Sequence, residues 1–93
     1  MPVRIDNNFD VWIGGRKLWM TLHIRDEMDK YEKDTLFVAD VIDRGKSKLV
    51  SKKERRYESV LPIGAEKWIV VYFLMDDKIL AKHLGKDERK SKR

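Results

Sequence analysis

A chain of 93 residues with a net charge of +5 makes one domain, because so short a chain buries roughly 60–65% of its unfolded surface and has enough apolar material for one core. The absence of cysteine excludes a disulfide framework and thiolate chemistry, and a cytoplasmic setting is expected. The first residues are charged and polar with no signal-peptide core, and no apolar run approaches the ~20 residues of a membrane span.

Charged residues make up 40% of the chain, against about 25% in an ordinary domain. Glutamine is absent, and asparagine occurs only at Asn7 and Asn8, a pattern expected of a protein made at high temperature, in a thermophile. The charge is segregated. Residues 25–43 carry seven acids and three bases, residues 44–56 seven bases and one acid, and residues 86–93 five bases and two acids. An anionic partner for the basic side and a solvated, salt-bridged surface both fit.

Residues 1–8 read as a loose end or an edge. Residues 9–13 and 16–20 flank Gly14 and Gly15 and form a β-hairpin, since glycine reaches the φ > 0 conformations of a tight turn. Thr21 is placed to cap a helix, along which Ile24, Met28 and Tyr31 share one face. Asp34 or Thr35 caps a second helix with an inward stripe of Val38, Val41 and Ile42. Arg44 lies in its last turn, and Gly45 is read as a left-handed terminator.

Beyond residue 46, Leu49 and Val50 can open a strand, and residues 55–61 look like a strand with one wet face that Pro62 ends or places at an edge. The run 68–74, Trp-Ile-Val-Val-Tyr-Phe-Leu, lacks charge, glycine and strict alternation, so it is read as a central strand covered on both faces. Val70 or Val71 then faces the helices, and Val71→Asp would unfold the domain. Residues 75–78 turn into a last strand over 79–84, and Gly85 ends the fold. The expected architecture is α+β. An N-terminal hairpin and two helices precede a three-strand antiparallel meander, all in one sheet with the helices on one face. Residues 1–85 form the domain, and residues 86–93 are a disordered basic tail.

The order of elements, with His23 and Met28 opening the first helix and Gly45 closing the second, resembles the RelE-like toxin superfamily. The closer likeness is to the small uncharacterised domains related to BrnT-type toxins, over residues 20–84. Those domains commonly carry an arginine before the methionine; Glu27 stands there, with Arg25 nearby. The resemblance implies a ribonuclease toxin, active or degenerate, that works without a metal, and an antitoxin-like protein partner.

The candidate nucleic-acid contacts are Lys48, Lys52, Lys53, Arg55 and Arg56, which would neutralise phosphates of RNA or another single strand, with Tyr57 stacking on an unpaired base. The candidate catalytic groups are His23, Tyr57, Lys82 and His83, as acid, base or phosphate-holding side chains. A structural role is the competing account of each. Asp26, Glu27 and Asp29 are too close along a helix to address one metal together, and the two histidines are far apart in sequence, so no metal and no cofactor is expected. Trp12, Trp19 and Trp68 are assigned to the core, one of them available for an interface. A non-enzymatic protein–protein interaction module, one member of a viral or toxin–antitoxin pair, is the alternative function.

Overall fold

The computed structural model describes residues 3–88. Its elements are β1 (Val3–Ile5), β2 (Val11–Ile13), β3 (Arg16–Met20), α1 (Leu22–Tyr31), α2 (Thr35–Arg44), β4 (Lys46–Ser51), β5 (Arg56–Ile63), β6 (Glu66–Leu74) and β7 (Lys78–Glu88). No helix among the described residues is long and apolar enough to cross a membrane.

The chain is α+β, but the expected three-strand antiparallel meander is overturned. All strands join one seven-stranded mixed sheet of order β1-β2-β3-β7-β6-β5-β4. The N-terminal hairpin docks on the last strand, β3 running parallel to β7 from Lys17↔Lys78 to Met20↔Ala81. Two short strands extend the edges, β1 beside β2 and the polar β4 beside β5. The parallel pairing joins residues about sixty positions apart, so no local pattern announces it.

The locally encoded features form as expected. Gly14 and Gly15 both have positive φ and close β2 onto β3 through a two-residue turn, Ile13 pairing with Arg16. The Thr21 hydroxyl accepts from the Ile24 N–H at 3.2 Å, and the Asp34 carboxylate accepts from the Phe37 N–H at 2.9 Å, each satisfying a donor left free by the first helical turn. Pro62 lies within β5, not at its end. β4 reaches only as far as Val60, so at Pro62 the strand is an edge, and the missing N–H removes no ladder bond.

The core lies between the helices and one sheet face. Ile24, Val38, Val41, Val70 and Leu84 are fully buried there, and Trp68 is 3% exposed, with Tyr31 and Phe37 edge-on to its ring at 5.4 and 5.0 Å. β6 is interior to the sheet, but it is not covered on both faces. Trp68, Val70 and Tyr72 are buried while Ile69, Val71 and Phe73 between them are only half-buried. Trp12 is half-exposed and Trp19 is 48% exposed, so of the three tryptophans only Trp68 belongs to the core. β7 does not stop at Gly85: Lys86, Asp87 and Glu88 pair with Trp68, Lys67 and Glu66. The rest of the expected tail, residues 89–93, lies outside the described residues.

Asp6 organises the link between β1 and β2. One carboxylate oxygen accepts from the N–H groups of Asn8 and Asp10, and the other accepts from the Trp12 indole at 2.8 Å. The Trp12 hydrogen bond leads in holding this carboxyl below its ordinary value of 3.8. A depressed folded pKa gives stability that is present above the unfolded value and is lost as pH falls through the folded one. Asp6→Asn is therefore expected to flatten the acid limb of the thermal midpoint below pH ~4, measured against the wild type. An unchanged acid limb would remove Asp6 from this role.

Candidate functional site

Residues paired across neighbouring strands project to the same side of a sheet, so the register assigns the face turned away from the helices. One row across it runs Arg56, Phe73, Leu80, Trp19, and the next runs Lys78, Lys17, Trp12, Arg4. On the other side of the first row, Lys48, Glu58, Val71 and His83 form a third. Each aromatic ring in the first two rows has a cation over it. Arg4 lies 4.9 Å from the Trp12 centroid, Lys17 4.5 Å and Lys78 5.8 Å from that of Trp19, and Lys82 5.4 Å from that of Phe73. The acidic helices lie on the opposite side, so the domain is a slab with a basic, aromatic face and an acidic back.

The five candidate phosphate contacts are unequally available. Arg55 reaches Asp76 at 3.1 Å, Arg56 reaches Glu54 at 3.4 Å and Lys48 lies 4.0 Å from Glu58. Lys52 and Lys53 are exposed in the turn between β4 and β5. The backbone of Arg55 is structural: φ is 56° and its carbonyl accepts from the Leu74 N–H, fastening this turn to β6. Arg56 and Lys48 share the open face with the aromatic rings.

The four candidate catalytic groups do not converge. Tyr57 pairs with Tyr72 on the helix side, their rings stacked at 5.6 Å, and no base on the open face can reach it. Tyr72 itself hydrogen-bonds Ser47 at 2.9 Å, and burial pushes its hydroxyl above its ordinary pKa. Lys82 is exposed and covers Phe73. His23 and His83 do come together, with rings nearly parallel at 5.9 Å, and Glu27 joins them. Its Oε2 lies 3.3 Å from His23 Nε2 and 2.8 Å from His83 Nδ1, while its Oε1 accepts from the Leu84 N–H at 2.9 Å.

This grouping has a topological cause. β3 pairs with β7 only up to Ala81, and Thr21 alone separates β3 from α1. The start of α1 therefore lies where β3 would continue, beside residues 82–84. Thr21 bonds the carbonyls of Ala81 and Lys82, and Glu27 takes the edge N–H of Leu84. A β-bulge at Lys82, between Val71 and Tyr72 of the partner strand, brings His83 onto the open face, where its ring packs over Gly85. The fold thus overturns the expectation that two histidines so far apart in sequence stay apart, and it adds Glu27 to them. The His23–Glu27 spacing of i, i+4 was the one local signal for it. Comparisons with known protein families, with curated proteins and with solved structures found no match.

Proposed function

We propose that this protein binds single-stranded nucleic acid, RNA foremost, across the open sheet face. The observation that carries the reading is Trp19, 48% exposed between Lys17 and Lys78 and in register with Leu80, Phe73 and Arg56. Unpaired bases stack on such rings with little regard to sequence, and the cations around them meet the phosphates. The acidic helices on the other side orient the approach of a polyanion. Lys52 and Lys53 extend the positive surface at one end of the face.

Fluorescence anisotropy of a labelled single-stranded oligonucleotide over a salt series tests this. Trp19→Ala is expected to cost ~1–3 kcal/mol of binding. Lys17→Ala with Lys78→Ala should lower the log–log salt slope by less than the roughly 1.4 of two free contacts, at ~0.7 each, because Asp10 engages Lys17 at 3.2 Å. Replacing Lys52, Lys53, Arg55 and Arg56 together should lower it by less than the roughly 3 of four free contacts, because Asp76 and Glu54 engage the two arginines. Tyr57→Ala should leave binding unchanged. Absence of binding at low salt would end this reading and favour an interaction module with an antitoxin-like partner, for which the apolar side chains of the same face would serve.

Metal-independent RNA cleavage of the RelE-like kind is a second reading, favoured by the His23–His83 adjacency at the rim of this face. Two imidazoles beside one carboxylate can donate and accept protons in a phosphodiester step. RNA recovered intact after incubation with the protein and a chelator would exclude it.

A further inference from the structure

The His23–Glu27–His83 group has features that neither helix packing nor a nucleic-acid platform requires. We infer that it forms a binding site for a divalent late-transition-metal ion of the zinc class. The three donor atoms lie within 4.8 Å of one another. They come from one helix and one strand, which the Thr21 and Leu84 hydrogen bonds hold together. Two imidazole nitrogens and one carboxylate oxygen suit zinc, nickel or copper, whereas magnesium and calcium prefer all-oxygen shells.

The Glu27 carboxylate is divided between two tasks. Oε1 is held by the Leu84 backbone N–H, and Oε2 faces both imidazoles. A hydrogen bond of this kind fixes the orientation of a ligating carboxylate and raises affinity. Tetrahedral zinc with bonds of 2.0–2.1 Å separates its ligand atoms by about 3.3 Å. The distance of 3.3 Å from His23 Nε2 to Glu27 Oε2 already matches, and the 2.8 Å distance from His83 Nδ1 must open by ~0.5 Å. The His23 ring then turns toward His83. Its side chain is 65% exposed, which leaves it room to rotate. Three protein ligands at an exposed rim leave a fourth position for water or an anionic ligand.

This inference is independent of nucleic-acid binding by the open face, competes with the metal-free use of the two imidazoles in RNA cleavage, and is tested without any oligonucleotide. The full chain, carrying no histidine tag, is titrated with zinc chloride by calorimetry and with cobalt(II) by visible absorption. The expected result is one ion per chain, a cobalt spectrum of a nitrogen- and oxygen-ligated site, and a thermal midpoint raised by zinc but not by magnesium. Loss of an outer-shell partner costs ~10–100-fold in metal affinity; His23→Ala and His83→Ala each remove a ligand and should cost at least as much. Both side chains are well exposed, so the metal-free melting temperature should stay near that of the wild type. Glu27→Gln keeps an acceptor for the Leu84 N–H while removing the charge, and should also weaken zinc binding ~10-fold or more. No stoichiometric binding by the wild type would overturn the inference. So would zinc binding that survives unchanged in both histidine variants, which would mark an adventitious ion at another surface.

Discussion

Val70→Asp is expected to abolish folding, while Val71→Asp, one residue further along the same strand, is expected to leave a folded protein. Val70 is fully buried in the layer between β6 and the helices. Val71 is half-buried on the open face, between Glu58 and His83. An unpaired carboxylate in the core costs several kcal/mol by desolvation, and the lost valine adds ~1.5–3 kcal/mol. Together these rival the roughly 5–15 kcal/mol that holds a domain folded. On the open face the new carboxylate keeps its water, and its effect should stay within about 1 kcal/mol. Circular dichroism melts of the two variants decide the matter. A normal melt of Val70→Asp would refute the assignment of the buried face, and a collapsed Val71→Asp would mean that the other face is covered as well. The latter result would also remove the surface on which the proposed nucleic-acid binding rests.

This pair of variants also marks where the sequence stops being readable. In the run 68–74, the inward residues Trp68, Val70 and Tyr72 and the outward residues Ile69, Val71 and Phe73 are equally apolar. Composition alone therefore suggests a strand covered on both sides. The features that were legible depend on a few neighbouring residues: the Thr21 and Asp34 caps, the glycine turn of the first hairpin, and the stripes of α1 and α2. The parallel pairing of β3 with β7 was not legible, and most of the architecture follows from it. Lys46–Ser51 lacks the alternation of a half-buried strand because β4 is a wet edge. The candidate site divides in the same way. His23 and His83 could be nominated by residue type alone. Glu27 meets the two histidines only once α1 lies beside the free edge of β7, and Tyr57 lies off the open face because its register with Tyr72 turns it to the helix side.

The second large effect is expected at Gly45, for a different reason from the one its position suggests. A glycine after the last helical residue usually supplies a left-handed conformation. Here φ is −72° and ψ is 168°, an extended geometry open to any residue. What the position lacks is room. A Cβ on Gly45 would press into the Val41 carbonyl oxygen and the Ser59 Oγ, and would lie 2.9 Å from the Val60 carbonyl oxygen. Ser59 is fully buried, and its hydroxyl donates to Val41 at 2.6 Å. The chain thus passes from α2 into β4 through a single residue wedged against β5. Gly45→Ala must push the end of α2 off the sheet and break the Ser59 bond. Overpacking costs ~1–3 kcal/mol and a stranded buried hydroxyl another ~1–3, which places the loss at about 2–6 kcal/mol. At about 4–8 °C per kcal/mol for a domain of this size, the melting temperature should fall by at least ~8 °C. Gly45→Asn separates the two accounts. Asparagine tolerates the left-handed region, so a conformational role would leave that variant near wild type, whereas a close-approach role makes it at least as damaging as alanine. Ser59→Ala alone should cost only ~1 kcal/mol, and combined with Gly45→Ala it should recover part of the loss by removing one of the colliding atoms. A Gly45→Asn protein that melts with the wild type would sink the close-packing account of this junction.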